Sequence, residues 1–135
     1  MIKRISVNTA SQGLHEFTAQ VEQAVREAGV REGLCTLFIC HTSASLLVQE
    51  NADPSAQRDL ETWRNRPVPE GDALYTQNAE GPDDMPAHVK AALTATSLSI
   101  PIISGRPALG TWQGIYVWEH RHRGGTRHVV AHIGG

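Results

Sequence analysis

The sequence predicts an α+β fold with about six or seven strands and about three helices. At 135 residues the chain has the length of one domain, so we expect residues 1–135 to form a single compact unit. Three segments carry helical spacing of apolar residues, whereas residues 97–133 are rich in β-type runs. Together these features predict a mixed, largely antiparallel sheet or sandwich with helices packed on it.

The first half of the chain alternates strands and helices. Residues 2–8 have the imperfect alternation of an edge strand. Apolar residues at i, i+4, i+7, i+8 and i+11 from Phe17 predict an amphipathic helix that Gly29 ends. Residues 34–40 are nearly all apolar, which predicts a central strand covered on both faces, and residues 45–49 predict another strand.

The second half opens with a helix start at Asp53-Pro54, with Asp as N-cap and Pro at the first helical position. We expect that helix to run to about residue 66. A Pro- and Gly-containing stretch over residues 66–83 is long for a loop and is typical of a segment that covers a site.

A third helix is predicted after Asp83 or Asp84, ending near residue 96, with a buried stripe formed by Met85, Val89, Ala92 and Leu93. Strands follow at residues 97–103, 111–123 and 126–133. The Gly124-Gly125 pair predicts a two-residue hairpin between the last two.

Composition limits the classes of function. The 12 Lys and Arg residues against 14 Asp and Glu residues lack the basic excess that nucleic-acid binding requires. The N-terminus has no signal-type apolar run and no later run reaches membrane-span length, so we expect a soluble, cytoplasmic protein. Cys35 and Cys40 lie on opposite faces of one strand, which predicts two small buried hydrophobes rather than a disulfide or a shared metal.

A cluster of polar residues directly follows the apolar strand and is the first candidate site. It begins with His41, Thr42 and Ser43 and continues through Asn51 and Asp53. Polar groups that cannot all be solvated cost free energy unless they are paired, so such a cluster indicates a functional site.

Two ionisable side chains are predicted to face the core from helices. Asp59 shares a face with Ala56, Leu60 and Trp63, and His88 joins the apolar stripe of the third helix. Asp59 alone is equally compatible with a buried, hydrogen-bonded structural residue, and a lone core His is usually a structural residue whose hydrogen bonds are satisfied. Together with His41 they favour a site.

The predicted long strand places Gln113, Glu119 and Arg121 on one face, where they would line a common surface. For Glu119 and Arg121 alone, a solvated face with a cross-strand ion pair is the better interpretation.

Four spaced motifs resemble the YjbQ-like family, and the resemblance covers nearly the whole chain. They are His41-Thr42-Ser43-Ala44-Ser45, Glu50-Asn51-x-Asp53-Pro54 with Asp59, Glu80-Gly81-x-Asp83-Asp84-Met85-Pro86-x-His88-x-Lys90, and Gly110-Thr111-Trp112-Gln113-Gly114 with Glu119-His120-Arg121. The resemblance implies a YjbQ-like α+β domain, a homotrimer and a secondary thiamine-phosphate synthase activity.

The resemblance implies a polar signature that falls on His41, Asn51, Asp53, Asp59, His88, Gln113, Glu119, Arg121 and Arg127. From these residues and the neighbouring hydroxyls we assign a catalytic set, His41, Asp59, His88 and Glu119, and a substrate-binding set, Thr42, Ser43, Asn51, Gln113, Arg121 and Arg127. His41 and His88 are also candidate metal ligands, but a His expected in the family is Gln77 here, which disfavours a three-His zinc site. Mg²⁺ or another divalent metal, held by carboxylates and phosphate, is the cofactor that remains open.

Three functions follow as hypotheses. The first is an enzyme that joins an aminopyrimidine diphosphate to a thiazole phosphate and releases pyrophosphate, with small phosphorylated substrates as partners. The second is a metal-assisted phosphoester or amide hydrolase. The third is a non-catalytic trimer that binds a small anion or metabolite.

Overall fold

The computed structural model of the chain describes residues 1–51, 53–66, 69–72, 75 and 81–135. Within them the chain forms eight strands and three helices, which confirms the predicted α+β class. The elements are β1 (Ile2–Thr9), β2 (Gly13–Glu16), α1 (Thr18–Ala28), β3 (Gly33–Ile39), β4 (Ala44–Glu50), α2 (Pro54–Asn65), α3 (Asp84–Ala92), β5 (Ser97–Ile103), β6 (Arg106–Pro107), β7 (Gln113–Glu119) and β8 (Gly125–Gly134).

The strands form two antiparallel sheets that share one core. The larger sheet has the order β1-β8-β3-β5-β6, and the smaller has the order β2-β7-β4. Leu37 of β3, Val129 of β8 and Val117 of β7 are fully buried in the core, and Val21 of α1 joins them. The predicted sandwich is thus the observed one.

The predicted starts and stops of the first two helices are confirmed. Gly29 ends α1 in the left-handed conformation at φ 68°, which glycine adopts without a Cβ penalty. Asp53 caps α2 by accepting a hydrogen bond from the Ser55 N–H at 2.9 Å, and Pro54 is its first residue.

The predicted hairpin between the last two strands is wrong. β7 ends at Glu119 and pairs with β2 and β4, whereas β8 begins at Gly125 and pairs with β1 and β3. The connection therefore crosses from one sheet to the other. Gly124 serves close packing instead, because a Cβ there would lie 2.0 Å from Glu119 Oε1 and 2.3 Å from the Thr9 carbonyl oxygen.

Within the single chain β3 is not covered on both faces, contrary to the prediction. β3 is central in its sheet, but Leu34 and Phe38 on its outer face are 44% and 50% exposed. Cys40, predicted to be buried, is likewise exposed, whereas Cys35 is buried and burial raises the pKa of its thiol to about 11. The apolar run therefore marks a surface left open in the single chain.

The helix α2 turns a polar side to the sheet, so the prediction that Asp59 faces the core is wrong. Gln57 Nε2 donates to Tyr116 Oη at 3.2 Å, and the Trp118 indole N–H donates to Glu61. Trp63 is 59% exposed, and Asp59 is exposed as well. The outward-facing hydroxyl and indole groups of β7 determine this rotation, because buried polar groups need partners.

The helix α3 is shorter and rotated relative to its prediction. It ends at Ala92, and Leu93, expected in the buried stripe, is 61% exposed. Its buried side instead includes Asp84 and Lys90. β2 was not predicted, because its four residues, Gly-Leu-His-Glu, carry too little alternation to indicate a strand.

Part of the predicted covering loop, including Gln77, lies outside the described residues. Among the helices that the structure does describe, none combines the length and apolar character needed to cross a membrane.

Candidate functional site

The candidate site lies where three connections meet: the segment His41–Ser43 between β3 and β4, the segment after β7, and the start of β8. The Ser43 carbonyl oxygen accepts a hydrogen bond from the His120 N–H at 3.2 Å, which joins the first two. α3 brings His88 to the same place, where its Nε2 lies 3.1 Å from Thr42 Oγ1. Thr42, Ser43 and His88, three of the predicted site residues, therefore come together beside the end of β7.

A buried ion pair between Glu119 and Arg127 forms the centre of this cluster. Arg127 Nε lies 2.6 Å from Glu119 Oε1 and Nη2 lies 2.8 Å from Oε2, a bidentate geometry. Thr9 Oγ1 donates to Oε1 at 2.6 Å and the Arg121 N–H donates to Oε2 at 3.2 Å. Glu119 is fully buried. Its side-chain partner is Arg127 rather than Arg121, so the solvated cross-strand pair considered from the sequence is not what forms.

The rest of the Arg127 guanidinium faces the His41–Ser43 segment. Its Nη1 lies 3.3 Å from His41 Nδ1, and its Nη2 donates to Ser43 Oγ at 3.3 Å. Glu119 thus fixes the orientation of a guanidinium whose outer edge points at an imidazole and a hydroxyl.

The hydrogen bonds of His41 fix its tautomer. The His128 N–H donates to His41 Nε2 at 3.0 Å, so Nε2 is the unprotonated nitrogen. Burial, followed by the charge of Arg127, lowers the pKa of His41, which favours the neutral ring. A neutral ring with an accepting Nε2 carries its proton on Nδ1, facing Arg127. Two N–H donors therefore point into one space.

His88 presents the opposite chemistry. Its Nδ1 lies 2.8 Å from the Asp84 carbonyl oxygen, which can only accept, so Nδ1 carries the proton. In the neutral ring Nε2 is then an acceptor, to which the Thr42 hydroxyl donates. The site thus contains one imidazole that donates toward its interior and one that accepts.

Arg121 connects the segment after β7 to the start of α3 by ion pairs. Its Nη2 lies 3.2 Å from Asp83 Oδ1 and its Nη1 lies 3.2 Å from Asp84 Oδ1. Burial raises the pKa of Asp83, but hydrogen bonds from the Arg121 side chain and the His122 N–H outweigh it, so the pKa is lowered. Asp84 in turn contacts His88 through its carbonyl oxygen.

Three predicted site residues lie elsewhere in the single chain. Asn51 and Gln113 are at the opposite end of β7 from Glu119, since Glu50 pairs with Gln113 and Ala44 pairs with Glu119. The separation along the strand is about 20 Å at 3.4 Å per residue. Asp59 is exposed on α2.

Sequence reasoning did not assign Thr9 or Asp84 to the site. Thr9 ends β1 and is fully buried beside Glu119, but nothing in its sequence neighbourhood marks it. Asp84 was interpreted only as a helix cap, although it is 2% exposed and pairs with Arg121. Its position beside Asp83, one turn before His88, was the available signal.

The two imidazoles do not fit the predicted metal pair. His41 Nε2 accepts a backbone N–H and its Nδ1 faces a guanidinium, so neither nitrogen is placed to bind a cation. Among the described residues no group of three or more His, Cys, Asp or Glu side chains is arranged to hold a metal ion.

Comparison with known proteins gives one consistent result. Residues 3–135 match the family described as UPF0047 protein YjbQ-like. A UPF0047 protein of Synechocystis is 49% identical over 129 residues, covering 96% of this chain and 88% of that protein. The UPF0047 protein YjbQ of Escherichia coli O157:H7 is 40% identical, covering 98% and 96%. A YjbQ/UPF0047 crystal structure from Clostridium acetobutylicum, described as uncharacterized, superposes with a TM-score of 0.86 at 35% identity, covering 97% of this chain and 98% of that one. The chain therefore belongs to the YjbQ-like UPF0047 family.

Proposed function

We propose that the cluster around His41 and Arg127 binds the phosphate of a small phosphorylated substrate. The observation that carries the proposal is the 3.3 Å approach of His41 Nδ1 to Arg127 Nη1, where the tautomer assigned above places two N–H donors. Two donors that face each other at this distance leave both N–H groups unsatisfied unless an acceptor to one side accepts from both. A phosphate oxygen supplies that acceptor, and its charge offsets the repulsion.

Ser43 adds a third donor to this proposed anion site. Its Oγ accepts from Arg127 Nη2 at 3.3 Å, which leaves its own hydroxyl proton available. Ser43 is 7% exposed, so a hydrogen bond from it would operate largely shielded from water.

For the reaction, we propose pyrophosphate-releasing transfer of the thiamine-phosphate synthase type. The thiazole nitrogen forms a C–N bond to the methylene carbon of the aminopyrimidine diphosphate. The C–O bond to pyrophosphate breaks, and the electron pair leaves with pyrophosphate. The protein then has to stabilise negative charge on the leaving group more than to supply a nucleophile, and Arg127, His41 and Ser43 are donors suited to that task.

His88 and Arg121 have different proposed roles. His88 Nε2 is a hydrogen-bond acceptor, so we propose that it orients a donor on the substrate, such as the amino group of the aminopyrimidine, or keeps Thr42 in place. From the sequence, Arg121 was assigned to substrate binding. Because it is paired with Asp83 and Asp84, we propose instead that it positions α3.

We further propose that the chain associates with copies of itself. The outer face of the larger sheet exposes Ile2 of β1 at 62%, and Phe38 and Leu34 of β3 at 50% and 44%, apolar side chains on the two strands that flank β8. Such a patch is typical of a protein interface. We propose that it is buried between subunits of a homotrimer.

Complementation tests the reaction. A strain lacking its main thiamine-phosphate synthase should grow when this chain is supplied at native expression level. Arg127→Gln and His88→Ala should abolish rescue, whereas His15→Ala, outside the cluster, should retain it. Rescue by the Arg127 and His88 variants would contradict the proposal.

The same variants separate the two other hypotheses. A stoichiometric transition metal in the purified protein, with phosphoester or amide hydrolysis that requires His88, would favour the hydrolase. Phosphate affinity that depends on Arg127, without rescue or turnover by the wild type, would favour the non-catalytic binding protein.

A further inference from the structure

A second cleft lies between the C-terminal end of α1 and the turn that joins β5 to β6. Its volume is about 560 Å³, which is in the range of small-molecule sites. Arg26, Arg31 and Arg106 line it, and among the described lining residues Glu22 is the one carboxylate. The cleft is therefore rich in positive charge in a chain whose net charge is −2.

These arginines lack ion-pair partners within the part of the chain that the structure describes. No described carboxylate lies within salt-bridge distance of any of the three. Arg26 Nη2 donates to Gln23 Oε1 at 2.7 Å, a neutral partner. Their charge is thus left for solvent or for a ligand.

The fold explains one of the three arginines. Arg26 lies in the last turn of α1, where the helix dipole favours cations, whereas Arg31 lies in the segment that follows the helix. Arg106 comes from a different element, β6, and its arrival in the same cleft adds repulsion between like charges.

The turn that delivers Arg106 is held in place. Ser104 and Gly105 have φ values of 53° and 77°, the left-handed pair of a tight hairpin turn. The Gly105 N–H donates to the Arg31 carbonyl oxygen at 3.0 Å, so the turn is attached to the segment that follows α1. The backbone bearing Arg31 is therefore joined directly to the turn that precedes Arg106.

We propose that this cleft is a second anion site, which binds the di- or triphosphate group of a small molecule. Guanidinium groups match phosphate oxygens in geometry, and three of them suit a ligand with several negative charges. An adjoining cleft of about 620 Å³ shares Arg106 and Glu22 with the first and is also lined by Asn51 and Gln113. These amides offer hydrogen bonds to the uncharged remainder of the ligand.

This site is separate from the cluster around His41. Gly33 at the start of β3 pairs with Ile102 near the turn, and Phe38 near the end of β3 pairs with Ser97. The arginine cleft therefore lies at one end of β3 and His41 follows the other, about 20 Å away at 3.3 Å per residue. The inference does not depend on the proposed function.

Calorimetric titration with inorganic tripolyphosphate tests the inference. The double variant Arg31→Gln/Arg106→Gln should weaken binding at this site about tenfold or more, because two charge-assisted contacts are lost. The matched control Arg4→Gln/Arg58→Gln removes the same charge from exposed arginines that do not line the cleft, and it should keep affinity within about twofold. All four side chains are exposed, so both variants should fold, which circular dichroism checks.

Two results would overturn the inference. Equal weakening in both double variants would mean diffuse attraction to surface charge. Unchanged binding in Arg31→Gln/Arg106→Gln together with complete loss in Arg127→Gln would mean that tripolyphosphate binds at the His41 cluster alone. If the inference is right, Arg127→Gln retains the binding event that the arginine cleft supplies.

Discussion

At the scale of single residues, the carboxylate of Glu119 determines how the site is arranged. It accepts from Thr9, from the Arg121 backbone and twice from Arg127, although it follows a run of core residues in β7. Glu119 does not have to touch the substrate to be essential. By orienting Arg127, it determines which guanidinium edge faces His41 and Ser43.

Removal of the Glu119 charge should lower the free energy of unfolding. Glu119→Gln leaves Arg127, whose side chain is 13% exposed, without its counter-ion, and breaking a buried pair costs about 3 kcal/mol of unfolding free energy. Urea denaturation measures the loss. Glu27→Gln, which removes the exposed partner of Lys3, is the control and should change stability little. Similar stability of the two variants would mean that the buried pair contributes no more than a surface pair.

His41 should make stability depend on pH. Its pKa is lowered from the ordinary value of 6.5, so His41 binds a proton more weakly in the folded state than in the unfolded chain. Its contribution is present in full above pH 6.5 and is lost as the pH falls through the lowered folded pKa. The unfolding free energy of wild type relative to His41→Gln should therefore decrease between about pH 7 and about pH 5. A constant difference across this range would contradict the assignment of a neutral His41.

At the scale of elements, the site depends on how the two sheets are connected. β7 ends at Glu119 in the smaller sheet, and six residues later β8 starts in the larger one, which brings Glu119 and Arg127 face to face. Gly124 allows the connecting segment to pass directly over the Glu119 carboxylate.

Gly124→Ala should therefore damage both stability and ligand binding. The new Cβ would meet the Thr9 carbonyl oxygen at 2.3 Å, so backbone has to move, with an expected cost of about 2 kcal/mol. Gly134→Ala, whose Cβ would lie 3.4 Å from its nearest neighbour, a His132 ring atom, is the control. The midpoints of thermal unfolding of the two variants are compared. Equal midpoints would mean that the segment between β7 and β8 is loosely packed at Gly124.

The sequence predicts the elements better than it predicts their faces. The caps at Asp53 and Gly29 are local, so they could be identified without the fold. The exposed position of Asp59 could not, because the rotation of α2 depends on Tyr116 and Trp118, polar-tipped side chains of a strand distant in sequence. The Gly124-Gly125 hairpin failed for a similar reason, since turn chemistry alone does not show which sheet a strand joins.

The candidate site was predicted in part. The segment His41–Ser43, which follows β3, and the side chain of His88 were predicted because polar residues interrupt or follow apolar patterns there. The structure brings them together. Arg127 was indicated by the family resemblance alone, because its pairing with Glu119 depends on a crossing between sheets. Asn51 and Gln113 share the family signature with the cluster but line a different cleft.

At the scale of the whole molecule, the outer face of the larger sheet exposes apolar side chains of β3 to solvent. Phe38 and Leu34 are exposed there although the run around them has the composition of a core strand. An assembly that covers this face would account for the composition.

Phe38→Glu should shift the protein toward smaller species. A charge within the proposed apolar interface has to be desolvated on association, which costs more than the contact returns. Sedimentation velocity measures the change. Leu93→Glu, an exposed leucine beside α3, is the control and should leave the sedimentation coefficient unchanged. A monomeric wild type would contradict the proposed trimer.

The central claim is that His41 and Arg127 together present donors to a phosphate. Long-range ¹H–¹⁵N NMR of the imidazole rings measures the tautomer of His41 directly, and titration with pyrophosphate then reports on the proton. We expect His41 with its proton on Nδ1, and a shift of that proton on addition of pyrophosphate that Arg127→Gln removes. A His41 protonated on Nε2, or an Nδ1 proton that pyrophosphate leaves unmoved, would contradict the account.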